Sequence, residues 1–215
     1  MDPGKLRDRI AWGYNIVARS TGRTVDAFRP HTAWKPLSGV HRYLRLPAAF
    51  VPGRGGLTNV ETAGDPWWRG CFDKAYTRPG DYLVRDDLAW FVAAQGDFSL
   101  PLCVLTNRVL SFARSQPGSG ASDATTYGAD AAGTATPLAA EWPASVLGAA
   151  GGARPQAALP GDNTLPSWII LLPPIPNVVL SPSDLLTDDL GRSGVIVTAE
   201  LSHLGWRLGA RQATV

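Results

Sequence analysis

The chain has 215 residues, of which 45% are hydrophobic and 18% charged, and its formal net charge is +2 at neutral pH. These values are typical of a globular protein with a buried core, and no apolar stretch is long enough for a membrane-spanning helix. The 23 Gly, 18 Pro and 8 Trp favour turns and short extended segments over long helices. We therefore expect a mainly β fold.

The first segment, residues 1–45, is a basic arm on a mildly acidic body. It carries nine Lys or Arg against three Asp, a net charge of +6, whereas the rest of the chain has eleven basic and fifteen acidic residues, a net charge of −4. Such an asymmetry predicts an acidic protein surface or nucleic acid phosphates as the partner of the arm. The alternative is a solvated helix face that binds nothing. The candidate contact residues are Lys5, Arg7, Arg9, Arg19 and Arg23.

An amphipathic helix is predicted near the N-terminus. Asp2 followed by Pro3 is typical of a helix start, and Gly22 can end the helix. Apolar residues recur between them every three or four positions, which predicts one buried stripe; they are Leu6, Ile10, Tyr14 and Val17. Charged residues interrupt the apolar positions of this segment, so we do not interpret it as a signal peptide and expect a protein made in a cytoplasm.

Two later stretches, 81–108 and 184–211, resemble each other. Aligned without gaps they match at seven positions, which are Asp81 with Asp184, Leu83 with Leu186, Asp86 with Asp189, Val92 with Val195, Ser99 with Ser202, Leu105 with Leu208, and Arg108 with Arg211. Each stretch reads as a turn, a short strand, an acidic turn and two further strands, which is typical of an antiparallel meander. The sequence predicts two small related antiparallel β modules, barrel-like or sandwich-like, with one N-terminal helix and long loops.

The remaining segments complete the predicted organisation. We expect the first β module at 46–114, a Gly/Ala/Ser-rich excursion or linker at 115–165 that is anchored by "EWPASVL", and the second β module at 166–215. The second module begins with "SWIILLPPIPNVVL". Its prolines rule out a continuing helix, so this run is expected to be an edge strand or a buried arm.

Signatures of catalysis and of cofactor binding are missing from the sequence. The histidines His31, His41 and His203 lack metal-ligand spacing, and we expect them on the surface or in turns. Cys71 and Cys103 are expected to be small core residues. No phosphate-binding loop or nucleophile elbow occurs. We therefore expect no enzyme, no cofactor and no metal.

Two features have a chemical and a structural interpretation. The carboxylate pairs Asp86–Asp87 and Asp188–Asp189 could serve a glycosidase or a magnesium site, but they are more typical of turns, in which Asp binds its own backbone. Three tryptophans could form a stacking platform for sugars or bases, or they could fill a β core; they are Trp67, Trp68 and Trp90.

Four stretches carry a resemblance that extends over nearly the whole chain: "DRIAWGYNIVARSTGRTVDAFRP", "ATPLAAEWPASVLGA", "LPGDNTLPSWIILLPPIP" and "LLTDDLGRSGVIVTAELSHLGWRLGARQA". In these stretches the sequence resembles a group of small virion proteins from tailed bacteriophages and prophages of proteobacteria. Where such proteins often carry an aromatic residue after "DDLGR", this chain has Ser193 and Gly194. The β module also looks like modules of phage head-closure, connector and tail-end proteins.

The resemblance implies a structural component of the virion, assembled in the host cytoplasm. It implies a multi-copy neck or tail protein of the head–tail connector region, in a homo-oligomeric ring whose arms dock on portal, adaptor or tail subunits. Non-specific contact with DNA in the channel is a further expectation for the basic arm. The alternative is a receptor- or glycan-binding accessory protein of the tail tip or capsid exterior, with the three tryptophans as its contact residues.

Overall fold

The computed structural model describes residues 2–53, 65–115, 135–148 and 166–213. One helix, α1 (Pro3–Thr21), precedes the strands. The first six strands are β1 (Arg23–Phe28), β2 (Arg42–Pro52), β3 (Trp67–Cys71), β4 (Tyr82–Arg85), β5 (Leu88–Ala94) and β6 (Leu102–Leu105). The next six are β7 (Arg108–Ser115), β8 (Ala135–Gly148), β9 (Ser167–Leu172), β10 (Leu185–Asp188), β11 (Ser193–Ser202) and β12 (Gly205–Gln212).

The strands form two closed six-stranded antiparallel barrels with the same topology. The first barrel has the order β1-β2-β3-β6-β5-β4, and the second has the order β7-β8-β9-β12-β11-β10. Each barrel consists of two three-stranded meanders, closed by the first strand pairing with the fourth and the third with the sixth. The mainly β class, the two related modules and the N-terminal helix are thus confirmed, and the modules are barrels.

The barrels include segments that the sequence assigned elsewhere. Strand β1 and the start of β2 lie in the predicted arm 1–45, β7 lies in the predicted first module, and β8 lies in the predicted excursion 115–165. The predicted anchor "EWPASVL" lies within β8, but the whole of β8 is a barrel strand rather than a linker, and its alanines had been interpreted as having little to bury. Ala139, Ala144 and Ser145 are in fact buried, together with Trp142.

The Pro-rich run after β9 also differs from expectation. Strand β9 pairs with β8 on one side and β12 on the other, so it is not an edge strand. Pro173 comes directly after the last residue of β9, where a missing N–H costs no ladder hydrogen bond. The alternative of a buried arm fits the next residues better, since Ile175 and Leu180 are buried.

Equivalent backbone hydrogen bonds show which residues of the two barrels correspond, and the resulting alignment requires a gap. The Val92 N–H donates to Asp81 O at 2.9 Å, and the Ile196 N–H donates to Asp184 O at 2.9 Å. Val92 therefore corresponds to Ile196, and the ungapped match with Val195 was wrong. Val84 pairs with Ala89 in the first barrel, whereas Thr187 pairs with Ser193 in the second. The turn is one residue longer there, which shifts every later match.

Side chains along β4 and β5 point alternately into two different cores, so this part of the sheet is buried on both faces. Leu83, Trp90 and Val92 fill the interior of the first barrel, while Tyr82 and Phe91 belong to a core that continues into the second barrel. Successive side chains of a strand point to opposite faces. Strand β5 is a continuous apolar run because its residues from Ala89 to Ala93 are buried on both faces of the sheet.

The barrels are joined by a two-residue connection that is bonded to both. Thr106 donates its N–H to Ala89 O at 2.9 Å, and Asn107 donates its N–H to Ala144 O at 3.0 Å. The Tyr82 hydroxyl, which is fully buried, donates to Pro143 O at 2.7 Å, and Trp142 Nε1 donates to Ala33 O at 2.7 Å. These buried polar groups are satisfied only when the barrels are packed together.

Candidate functional site: the outer face of the N-terminal helix

Helix α1 begins and ends where the sequence predicts. The Asp2 carboxylate accepts the N–H of Gly4 at 3.1 Å, which satisfies one of the free amides of the first turn, and Pro3 is the first helical residue. At the other end the N–H of Gly22 donates to Ala18 O at 2.9 Å. Both predicted boundaries are confirmed.

One side of α1 packs on β2 and β3. Ala18 is completely buried, and the Asn15 amide donates to the Asp73 carboxylate at 3.0 Å. The Cys71 thiol lies 3.3 Å from Tyr14 O. A Cβ at Gly22 would meet the Ala48 backbone at 2.7 Å and would also contact Ala18 O. The helix thus approaches the barrel most closely through its smallest residues.

The opposite side of α1 is exposed and apolar. Leu6 is 38% exposed, Trp12 68%, Ile16 46% and Val17 47%. The prediction that Leu6 and Val17 belong to the buried stripe was wrong. Small residues on the other side, above all Ala18, allow the barrel to come close, and the bulky residues are left facing solvent.

Four of the five predicted basic residues frame this outer face, whereas Arg7 lies on the barrel side of α1, beside Lys74 and Gln95. Lys5, Arg7, Arg9 and Arg19 lie on α1, Arg23 opens β1, and all five are exposed. The acidic residue within α1 is Asp8, which Arg7 approaches at 4.0 Å, so the helix has a net charge of +3. The outer face therefore combines apolar surface with positive charge.

Two cations of β2 are already paired with a carboxylate of β1. The Asp26 carboxylate lies 2.8 Å from Arg45 Nε and 3.0 Å from Arg42 Nη2. The hydrogen bond from Arg45 holds the pKa of Asp26 below its ordinary value, against an opposing effect of burial. The positive charge offered to a partner is thus concentrated on α1 and on Arg23, the first residue of β1.

The three predicted contact tryptophans do not form a surface platform. Trp90 is 1% exposed inside the first barrel, stacked on Phe50 with ring centroids 4.1 Å apart. Trp67 and Trp68 are half-buried, and Trp68 meets Trp90 edge to face at 6.1 Å. The core interpretation is confirmed for Trp90, which cannot stack on a ligand in this conformation.

The acidic turns show how the paired carboxylates are used. The Asp188 side chain accepts the N–H groups of Leu190 and Arg192, at 3.0 and 2.8 Å, and Arg192 Nε at 2.7 Å. Burial opposes its ionisation, yet these bonds hold the pKa of Asp188 below its ordinary value. The turn interpretation is confirmed for Asp188. Asp86, Asp87 and Asp189 are exposed.

The histidines and cysteines occupy ordinary structural positions. His31 and His203 are exposed, as expected, but His41 is buried in a 3-10 turn, Gly39–His41. Cys71 and Cys103 are buried free thiols, which confirms their core assignment, and burial raises the pKa of both. Within the described ranges, no three His, Cys, Asp or Glu side chains lie close enough to hold a metal ion.

Sequence reasoning missed Trp12, Gly13 and Ile16 as part of the candidate surface. The signal was present in α1, which has more large apolar residues than one buried stripe requires. The small residues Ala18 and Gly22 marked the side of the helix that packs closely on the barrel. Periodicity alone does not distinguish two apolar faces of one helix.

Fold and site together define a two-barrel β protein that displays a basic, apolar helical face. Comparison of the chain with protein-family models, with curated proteins and with solved structures found no match. In the part of the chain that the structure describes, no helix is long and apolar enough to cross a membrane.

Proposed function

We propose that this chain is a structural subunit of a tailed-phage virion, present in several copies in the neck or tail, that docks on neighbouring subunits through α1. The observation that carries the proposal is the outer face of α1, where exposed apolar side chains lie among the cations of the helix. Large apolar residues exposed together on one face are typical of an interaction surface. The resemblance to phage virion proteins supplies the setting.

The two barrels suit such a role because they are hydrogen-bonded and packed together as one support for the helix. The connection at Thr106 and Asn107 is bonded to both barrels, and the inter-barrel core is continuous. A rigid support reduces the conformational entropy lost when a surface docks. Lys5, Arg7, Arg9, Arg19 and Arg23 are the proposed partner contacts, and an acidic subunit surface is their expected counterpart.

The first test is quantitative mass spectrometry of gradient-purified particles from the source phage. The expected result is a copy number equal to that of the portal subunit or to a simple fraction of it. Absence of the chain from purified particles would overturn the proposal.

A second test asks whether α1 is the docking element. The double variant Lys5→Glu/Arg9→Glu is expected to lose incorporation into particles, because it reverses two charges that lie beside the exposed Leu6 on the outer face. The matched control Arg207→Glu/Arg211→Glu reverses two exposed charges on β12 and is expected to incorporate normally. Equal incorporation of both variants would remove α1 from the docking role.

A further inference from the structure

The outer face of α1 has the spacing of a helix–helix seam. Leu6, Ile10, Gly13 and Val17 follow each other at intervals of four, three and four residues. This is the spacing of residues that pack against a second helix in a two-stranded coiled coil. Leu6 and Val17 are exposed, and Ile10 is half-buried.

Gly13 at the centre of this seam serves no purpose in the described fold. A Cβ placed there would meet no atom within 4 Å, and the residue lies in the middle of a helix. Glycine in a helix interior is unfavourable relative to alanine, because it loses more conformational freedom. No neighbour within the fold requires a glycine at position 13. A partner molecule that approaches the backbone closely there would require one.

We infer that α1 is the receptor for an acidic amphipathic helix of a partner protein, which crosses α1 at Gly13. The partner's apolar residues would cover Leu6, Ile10 and Val17, and its carboxylates would face the cations of α1. The distance between packed helices depends on the side chains at the crossing point. A glycine there lets the two backbones approach. This inference rests on the proposed docking role of α1.

Charge and shape together select this occupant. A second copy of the chain would bring together two helices of net charge +3, which repel each other. DNA would pair with the cations but would gain nothing from covering Leu6 and Val17. An anionic lipid surface would satisfy charge and apolar contact but would gain nothing from the missing side chain at Gly13.

The experiment measures binding of a fluorescently labelled 21-residue amphipathic peptide, with Leu and Ile on one face and Glu on the other, to the full-length protein by anisotropy. The matched peptide carries Lys in place of every Glu. The expected result is that the Glu peptide binds and the Lys peptide binds at least about tenfold more weakly, a difference that corresponds to about 1.4 kcal/mol. Equal binding of the two peptides would overturn the inference.

The decisive variant is Gly13→Ala, which separates docking from folding. It is expected to raise the midpoint of thermal unfolding, since the added methyl has free space, and to weaken binding of the Glu peptide by roughly tenfold. Gly39→Ala is the matched control, because a Cβ there also meets no atom within 4 Å. It should bind as the unaltered protein does. Unchanged binding by Gly13→Ala would contradict a helix crossing at this residue.

Two further measurements test the other occupants. If the protein binds phosphatidylglycerol vesicles and Gly13→Ala leaves that binding unchanged, the occupant is a membrane surface and not a partner helix. If sedimentation analysis shows a dimer that Gly13→Ala abolishes, the occupant is a second copy of the chain. Peptide binding to the purified protein tests the helix-receptor inference, whereas the composition of particles tests the virion role. The failure of one can therefore be distinguished from the failure of the other.

Discussion

Asp184 holds in the second barrel the place that Asp81 holds in the first. Each carboxylate is almost fully buried and accepts two bonds from one arginine, at 2.8 and 2.7 Å from Arg29 to Asp81 and at 2.7 and 2.9 Å from Arg114 to Asp184. Each also accepts a backbone N–H from the residue three positions earlier. The two barrels therefore share a specific ion pair that joins the end of their first strand, at Arg29 directly after β1 and at Arg114 within β7, to the turn before their fourth.

The first prediction concerns the unequal burial of these two pairs. Asp81→Asn is expected to lower the free energy of unfolding by about 2–3 kcal/mol, and Asp184→Asn by about 1–2 kcal/mol. The reason is that Arg29 is less exposed than Arg114, and that Asp81 also accepts the Tyr43 hydroxyl at 2.8 Å. Urea unfolding at neutral pH measures both values.

Asp86→Asn is the control for that pair of variants. Asp86 lies at an exposed turn, at a φ of +51° that asparagine also tolerates. Its unfolding free energy should remain within about 0.5 kcal/mol of the parent protein. Equal losses for Asp81→Asn and Asp184→Asn would contradict the argument from burial.

The second prediction is a loss of stability in acid that depends on Asp188. Its pKa is lower in the folded protein than the ordinary value of 3.8, so folding favours the ionised form. The stabilisation is complete above the unfolded pKa and disappears as the pH falls through the folded pKa. Asp188→Asn should therefore flatten the decline in unfolding free energy between about pH 5 and about pH 2.

Urea titrations across that pH range provide the measurement. The neighbouring variant Asp189→Asn leaves the three bonds to Asp188 in place and should decline as the parent protein does. If Asp188→Asn and the parent protein lose stability in parallel, the turn carboxylate contributes nothing to the acid dependence.

The third prediction tests the docking of α1 on the first barrel. Gly22→Ala should destabilise the protein by about 1–3 kcal/mol, because the new methyl would overlap the Ala48 backbone and Ala18 O. Gly39→Ala, at an open position, should be nearly neutral. The measurement is thermal unfolding followed by the helical circular dichroism signal. A neutral Gly22→Ala would mean that α1 does not pack closely on β2.

The fourth prediction assigns a large part of the exposed tryptophan emission to α1, the remainder coming from Trp34, which is 46% exposed. Trp12 is 68% exposed, whereas Trp90 is 1% exposed. Trp12→Phe should therefore remove a large part of the fluorescence that acrylamide quenches, and Trp90→Phe should leave the quenched fraction unchanged. Stern–Volmer analysis of the two variants and the parent protein decides this. A quenchable Trp90 would restore the stacking-platform hypothesis.

Local patterns predicted those parts of the fold whose contacts are local. Asp2, Pro3 and Gly22 marked the ends of α1, and the meanders from Tyr82 and from Leu185 onward were recognised because consecutive strands pair with each other. Strand β8 was missed because its alanines become core residues only when β7 and β9 lie on either side. The same holds for β1, which closes its barrel by pairing with a strand far along the chain.

By itself the amino-acid sequence determined the β-rich class, the existence of two related modules, the helix boundaries and the concentration of positive charge near the N-terminus. All of these depend on composition, on short-range spacing or on turn chemistry, which act within a few residues. Only the tertiary structure decided that the modules are closed barrels, that Arg29 meets Asp81, and that α1 turns its larger apolar residues outward. Those features depend on which distant surfaces approach, and the small side chains at Ala18 and Gly22 set that approach.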